Sequence, residues 1–338
     1  MKNLLYIGNN LETAKTNISS IGILGKLLEA EGYNLRYASS YNNKLMRLLH
    51  MVWSCIKNSK WADAVLIDTY STQNFYYALI CSQICRLFGV PYLPILHGGN
   101  LPSRLEKNPR LCKLIFGHSQ LNISPSLFLK SKFEDFGFDN IEFIPNSIQI
   151  ENYKVSPKTF DSIRLLWVRS FSKIYNPKMA VSVLKNLIAK GYRAQLCMVG
   201  PDADGSLQEV KSKAESLGVT VRFTGKLSKA EWIQLSEEYN IFINTTNFDN
   251  MPVSVIEAMA LGFPIVSTNV GGLPFLIEDN VDGILVEKAN VEAMTNAIRR
   301  VFQNADIRTK ISRSAREKAE TFAWSHIKTK WYSVFENL

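Results

Sequence analysis

The chain has 338 residues, 46% of them hydrophobic and 20% charged, and 39 Lys and Arg against 30 Asp and Glu give a formal net charge of +9. That length exceeds one ordinary core and suits two α/β domains, and the composition is that of a globular protein rather than a disordered or fibrous one. No stretch has the continuity of a membrane span, because the most apolar one, residues 76–96, is broken by Arg86, Gly89 and Pro91; nor does any long Lys/Arg block, RNP-like run or zinc spacing point to nucleic acid.

The opening LLYIG predicts a first buried strand, too short and too polar beyond Ile7 for a signal peptide. Residues 18–32 predict a helix closed by Gly32, and NLRYASS a second strand. From Tyr41 to Trp61 there is no acid, while Lys44, Arg47, Lys57 and Lys60 interleave with Leu45, Met46, Leu48, Leu49, Met51, Val52, Trp53 and Ile56. Two readings fit this run: an ordinary helix packed on the first sheet with its cations solvated, or a basic amphipathic helix in contact with an anionic membrane. AVLIDTY (strand), FYYALICSQICRLFG (helix) and PYLPILHGG (strand into a glycine turn) follow, and NISPS, SLFLKSKFEDFGF and IEFIPNS complete a doubly wound pattern. The polar run ENYKVSPKTFDS, residues 151–162, breaks the periodicity and is expected to be an inter-domain linker.

The second half restarts the alternation, with strands at IRLLWVR, AQLCMVG, VTVRFTG, IFINTT, PIVST and DGILVEK separated by helical runs. The closing segment from Trp324 places Trp324, Ile327, Trp331 and Phe335 on one helical face. The expected division is therefore 1–155, 156–322 and a final helix at 323–338. The five cysteines, Cys55, Cys81, Cys85, Cys112 and Cys197, are odd in number and show no CxxC. They are expected to be reduced core residues, which fits a cytoplasmic setting.

Residues 244–274, NTTNFDNMPVSVIEAMALGFPIVSTNVGGLP, carry the most chemistry. A strand, a polar loop, a helix and a second strand make a βαβ unit, whose ligands bind beyond the strand ends. Asp249 lies in the loop, and Glu257, eight residues on, lies about two turns into the predicted helix. The amides and dipole at the helix start favour an anion, and Glu257 can offer a carboxylate to hydroxyl groups. Together these features predict a site for a phosphorylated sugar or nucleotide.

At these residues the chain resembles the family 4 retaining glycosyltransferases of GT-B fold, in which two Rossmann-like domains face a central cleft. The resemblance is strongest from Arg164 to Glu287, where an acid–x7–acid signature is followed by AMALGFPIVSTNVGGLP. It implies that Glu257 binds the ribose of a sugar nucleotide, that Asp249 contacts the donor sugar, and that the backbone around Met251, Pro252 and Val253 holds sugar and phosphate. In WVRSFSKIYNPKMA it implies Arg169 as a diphosphate cation, with Lys173 assigned as the second although Ile174 occupies the usual lysine position. A forked guanidinium and a point-charge ammonium suit a departing diphosphate. FTGKLSKAEW resembles the loop that meets the base, with Gly225 and Leu227 as candidates, and FIPNS resembles the approach to the linker. Counting back from Gly32 puts the family's glycine pair at Thr16 and Asn17, which can hydrogen bond but cannot bring the backbone as close to phosphate. His97, in ILHGGNLP, falls where the family often has a histidine near the donor sugar; the bland alternative is a satisfied structural histidine.

The pair Asp202 and Asp204 forms a DxD inside a turn-rich loop and is read as turn chemistry. The resemblance implies transfer without metal or cofactor, from a UDP-, GDP- or ADP-sugar to a glycan or lipid-linked acceptor in surface polysaccharide or glycoconjugate assembly. Rival readings are a sugar-nucleotide 2-epimerase of the same fold and a non-catalytic glycan- or nucleotide-binding protein.

Overall fold

The computed structural model describes residues 2–10, 20–97 and 99–338. The chain divides into two compact units, residues 1–145 with 328–338, and residues 146–327. In unit 1 it runs through β1 (Asn3–Ile7), α1 (Ser20–Ala30), β2 (Asn34–Ala38), α2 (Lys44–Asn58), β3 (Ala64–Thr69), α3 (Asn74–Leu87), β4 (Tyr92–Leu96), α4 (Leu101–Lys107), α5 (Pro109–Phe116), β5 (Asn122–Ser124), α6 (Leu127–Asp135) and β6 (Ile141–Phe143). Its sheet has the order β2-β1-β3-β4-β5-β6 with every pairing parallel. Parallel strands between helices are buried on both faces, so they read as unbroken apolar runs such as AVLIDT and YLPIL.

Unit 2 contains β7 (Ile163–Val168), α7 (Pro177–Ala189), β8 (Ala194–Val199), α8 (Ser206–Ser216), β9 (Val221–Gly225), α9 (Lys229–Ser236), β10 (Ile241–Asn244), α10 (Val253–Ala260), β11 (Ile265–Thr268), α11 (Leu273–Leu276), β12 (Ile284–Val286), α12 (Val291–Gln303) and α13 (Ala305–Glu320). The sheet order β9-β8-β7-β10-β11-β12 reverses direction between β7 and β10. Ligands of open parallel sheets gather beyond the carboxyl ends of the strands at such a reversal. Two apolar clusters form the core of this unit, one around Leu166, Val255 and Phe263 and one around Trp167, Leu184 and Ile298.

The expected linker at 151–162 is instead part of unit 2, which begins at Asn146. The Ile148 amide donates to the Phe322 carbonyl (2.9 Å), and the Trp324 amide donates to the Ile148 carbonyl (3.0 Å). Tyr153 is buried in the unit 2 core, and the Lys158 ammonium donates to the carbonyls of Ser236 and Tyr239, both at 3.2 Å. A polar run can thus be tied down by hydrogen bonds to distant carbonyls that hydropathy does not register. The last helix, α14 (Trp324–Glu336), starts in unit 2, and its residues from Lys328 on belong to unit 1. There Lys328 pairs with Glu31 at 3.1 Å, and Phe335 packs on Tyr33 with ring centroids 4.9 Å apart. All five cysteines are buried and free. No helix among the described residues is long and apolar enough to cross a membrane.

Candidate functional site

Two segments 80 residues apart in sequence meet at the reversal point of unit 2. Arg169 directly follows β7, Asp249 sits in the loop after β10, and their side chains form an ion pair. The guanidinium also lies over the Tyr175 ring, 4.3 Å from its centroid, while Nε is buried without a hydrogen-bond partner among the described residues. The backbone of Arg169 is fixed by its amide, which donates to the Val199 carbonyl (3.0 Å), and by the close passage of Gly200. A Cβ at 200 would stand 1.9 Å from the Arg169 carbonyl oxygen, so only glycine fits beside it.

The loop carrying Asp249 is shaped in the same way by the NVGGLP segment. The Gly272 amide donates to the Asp249 carbonyl (2.9 Å), and a Cβ at 272 would lie 1.8 Å from the Asn250 carbonyl oxygen. Met251 and Pro252 are buried here, and Val253 begins α10. The Val255 and Ile256 amides donate to the Pro252 carbonyl (3.0 and 3.3 Å), which leaves the Val253 and Ser254 amides, at the positive end of the helix dipole, without a backbone acceptor among the described residues.

Glu257 is the fifth residue of α10, a little over one turn from its start rather than two, because the helix begins only at Val253. The residue is 4% exposed. Its Oε1 accepts from the Tyr153 hydroxyl (2.9 Å) and from the Lys229 ammonium at the start of α9. Burial pushes the Tyr153 hydroxyl's pKa up and pulls that of Lys229 down to about 8. Tyr153 is held in turn by Arg316 of α13, whose guanidinium donates to the carbonyls of Tyr153 (2.6 Å) and Ala260.

The base-loop candidates lie in the same unit. Gly225 closes β9 with φ 73°, a backbone conformation that favours glycine, and its carbonyl accepts from the Gly200 amide (2.9 Å). Leu227 is half-buried against the apolar cluster that contains Met251 and Val255, as is Val253. Among the described residues, Lys173 pairs with neither of the site acids, Asp249 and Glu257. Its side chain is 73% exposed and its ammonium pairs with Glu209 of α8 at 3.6 Å. Asp204 fixes this stretch by accepting from the hydroxyls of Ser206 and Ser172 and from the Lys173 amide (2.9 Å); these donors hold its carboxyl down to about 2. Asp202 accepts from the Gly205 amide (2.9 Å). Both acids of the DxD are therefore occupied in forming the turn.

In unit 1, His97 follows β4 and Asp68 lies near the end of β3. His97 Nε2 is 2.7 Å from Asp68 Oδ1, which also accepts from the Tyr6 hydroxyl (3.0 Å). Tyr70 stacks on the imidazole at 4.9 Å, and Asp68 Oδ2 is buried without a hydrogen-bond partner among the described residues. Thr16 and Asn17 lie outside the described residues.

Sequence reasoning missed Lys229, Tyr153 and Asp68. The Ser228–Glu231 capping box, present in the structure, marks the start of α9 and so places Lys229 at the mouth of its loop, but its pairing with Glu257 is a tertiary fact. Tyr153 was hidden by the polar residues around it.

A family model described as glycosyl transferases group 1 matches residues 149–318. A D-inositol 3-phosphate glycosyltransferase from Saccharomonospora viridis is 26% identical over 173 residues, covering 48% of this chain and 40% of that protein. The amylovoran biosynthesis glycosyltransferase AmsK from Erwinia amylovora is 24% identical over 246 residues, covering 69% of this chain and 60% of that protein. The chain thus spans less than two thirds of the length of these curated relatives. The crystal structure of Anabaena HepE in complex with UDP and glucose superposes with a TM-score of 0.79 at 17% identity, covering 100% of both chains. That likeness shows the GT-B fold, with two parallel six-stranded sheets flanked by helices.

Proposed function

Since this chain belongs to the group 1 glycosyltransferases, we propose that it transfers a sugar, with retention of anomeric configuration, from a nucleoside-diphosphate sugar to a glycan or lipid-linked acceptor. The observation that carries this reading is the Arg169–Asp249 ion pair at the carboxyl ends of β7 and β10, with Glu257 in the first turns of the α10 helix that follows the same loop. Arg169, with one nitrogen already unpartnered, offers a fork to the diphosphate. The first-turn amides of α10 share that charge as it develops on the leaving group. Glu257 offers its carboxylate to the ribose hydroxyls, Asp249 faces the sugar, and the backbone at Gly225 and Leu227 borders the base.

In this reading the acceptor attacks from the side that the diphosphate leaves, and a donor phosphate oxygen takes its proton, so no protein nucleophile is needed. His97 is the candidate in unit 1 for a sugar hydroxyl. Neither metal nor cofactor enters, and the engagement of Asp202 and Asp204 in their own turn supports that. The relative named for amylovoran biosynthesis supports polysaccharide assembly as the setting, and in this reading the chain works at the inner face of a membrane.

A thermal-shift screen of UDP-, GDP- and ADP-sugars, followed by NMR of the stabilising donor with and without acceptor, tests the proposal. Stabilisation by one donor, and product only when a glycan or lipid-linked acceptor is present, is the expected result. Conversion of the donor alone into its 2-epimer, or glycan binding with no response to any nucleotide, would overturn it.

A further inference from the structure

Helix α2 has two faces of opposite character. Arg47, Met51, Ser54, Cys55 and Asn58 are buried. Arg47 directs its guanidinium to the Asn9 side chain (3.0 Å) and to the carbonyls of Tyr41 (2.9 Å) and Asn42 (3.0 Å), so this cation is structural and not part of a charged surface. On the outer face Leu45, Leu49, Trp53 and Ile56 follow one another at helical spacing, and they are 64%, 53%, 54% and 47% exposed. Met46 and Tyr41 are also about half exposed. A single exposed leucine needs no explanation, but a continuous stripe with a tryptophan marks a surface built to be covered.

The charges around the stripe say what covers it. Lys44 and Lys60 are exposed near its two ends, and Lys57 holds its ammonium 4.4 Å above the Trp53 ring. No acid occurs from residue 32 to residue 62. The complementary surface is therefore apolar beneath and negative at its rim, which is the layering of a lipid bilayer with acidic headgroups. We propose that α2 seats unit 1 on an anionic membrane, with Leu45, Leu49, Trp53 and Ile56 at the acyl boundary and Lys44, Lys57 and Lys60 among the headgroup phosphates. The arrangement is independent of the donor site in unit 2, and it would bring the chain to the surface where a lipid-linked acceptor resides.

Flotation of the full chain with vesicles of phosphatidylglycerol and phosphatidylcholine, against phosphatidylcholine alone, tests this. Binding to the anionic vesicles at low salt, weakened by added salt, is expected. Each lysine removed in Lys57→Gln and Lys60→Gln should lower partitioning about fivefold. Leu49→Glu with Trp53→Glu should abolish binding while leaving the melting temperature and nucleotide response unchanged. If that pair fails to fold, the lysine variants and the salt dependence decide. The proposal is overturned by wild type that ignores anionic vesicles or by binding that neither pair alters. It is also overturned if light scattering shows a dimer that Leu49→Glu with Trp53→Glu dissolves, for then a second copy covers the stripe.

Discussion

Each unit places an acid and a base side by side at the carboxyl ends of its strands, and the two pairs are built for different work. In unit 1, Asp68 is buried; one oxygen is shared by Tyr6 and His97, the other has no partner among the described residues, and Tyr70 caps the imidazole. In unit 2, Arg169 and Asp249 keep part of their surface open, and Glu257 is held by Tyr153 and by a lysine whose stem is half exposed. A sealed carboxylate orients the ring beside it, whereas charges with open edges can exchange a protein partner for a ligand. In the proposed reading, ring positioning falls to the first pair, and anion and hydroxyl recognition to the second group.

Substitutions that should divide cleanly between the units sharpen this contrast. Arg169→Lys keeps the charge but loses the fork, and kcat should fall on the order of 100-fold in a steady-state transfer assay. Near-normal turnover would remove the guanidinium from the account. Gly272→Ala drives a Cβ into the Asn250 carbonyl and should cost about 2 kcal/mol in urea unfolding, with donor affinity falling alongside. Stability equal to wild type would mean that the loop under Asp249 relaxes freely. His97→Ala should lower turnover about tenfold while calorimetric affinity for the nucleotide stays unchanged, because His97 belongs to unit 1. A matching loss of nucleotide affinity would erase the distinction between the two pairs. Lys173→Ala should change kcat/KM by no more than about twofold, since its partner is the exposed Glu209. A large loss would restore Lys173 to the diphosphate.

The βαβ unit at residues 244–274 was legible because its signals are local. The IFIN strand, the polar loop, Pro252 and the acid eight residues on lie within one short stretch, and the glycine pair that shapes the loop follows directly. Arg169 was legible as a cation after a strand, and the strand pattern of both halves followed from apolar runs. What could not be read came from residues far apart in sequence. The Lys229–Glu257 contact spans 28 residues and the Tyr153–Glu257 contact spans 104. The polar segment at 151–162 looked like a linker because composition does not show partners, while its attachment to unit 2 runs through single side chains: Lys158 to the carbonyls of Ser236 and Tyr239, and Asn240 and Arg316 to the carbonyls of Thr159, Ser162 and Tyr153. The helices at Leu101–Phe116 and α13 were likewise not anticipated, although Arg316 of α13 anchors Tyr153. Arg47 illustrates the same limit, because a cation in a basic run turned inward to cap nearby carbonyls.

The central claim is that Glu257 recognises the ribose of a nucleoside diphosphate. Calorimetric titration of wild type and Glu257→Ala with the diphosphate stabilising in the screen, and with its 2′,3′-dideoxy counterpart, tests it most directly. Wild type should prefer the ribose form by at least about tenfold, and Glu257→Ala should bind weakly with that preference gone. A folded Glu257→Ala protein that keeps both the affinity and the preference of wild type would contradict the account.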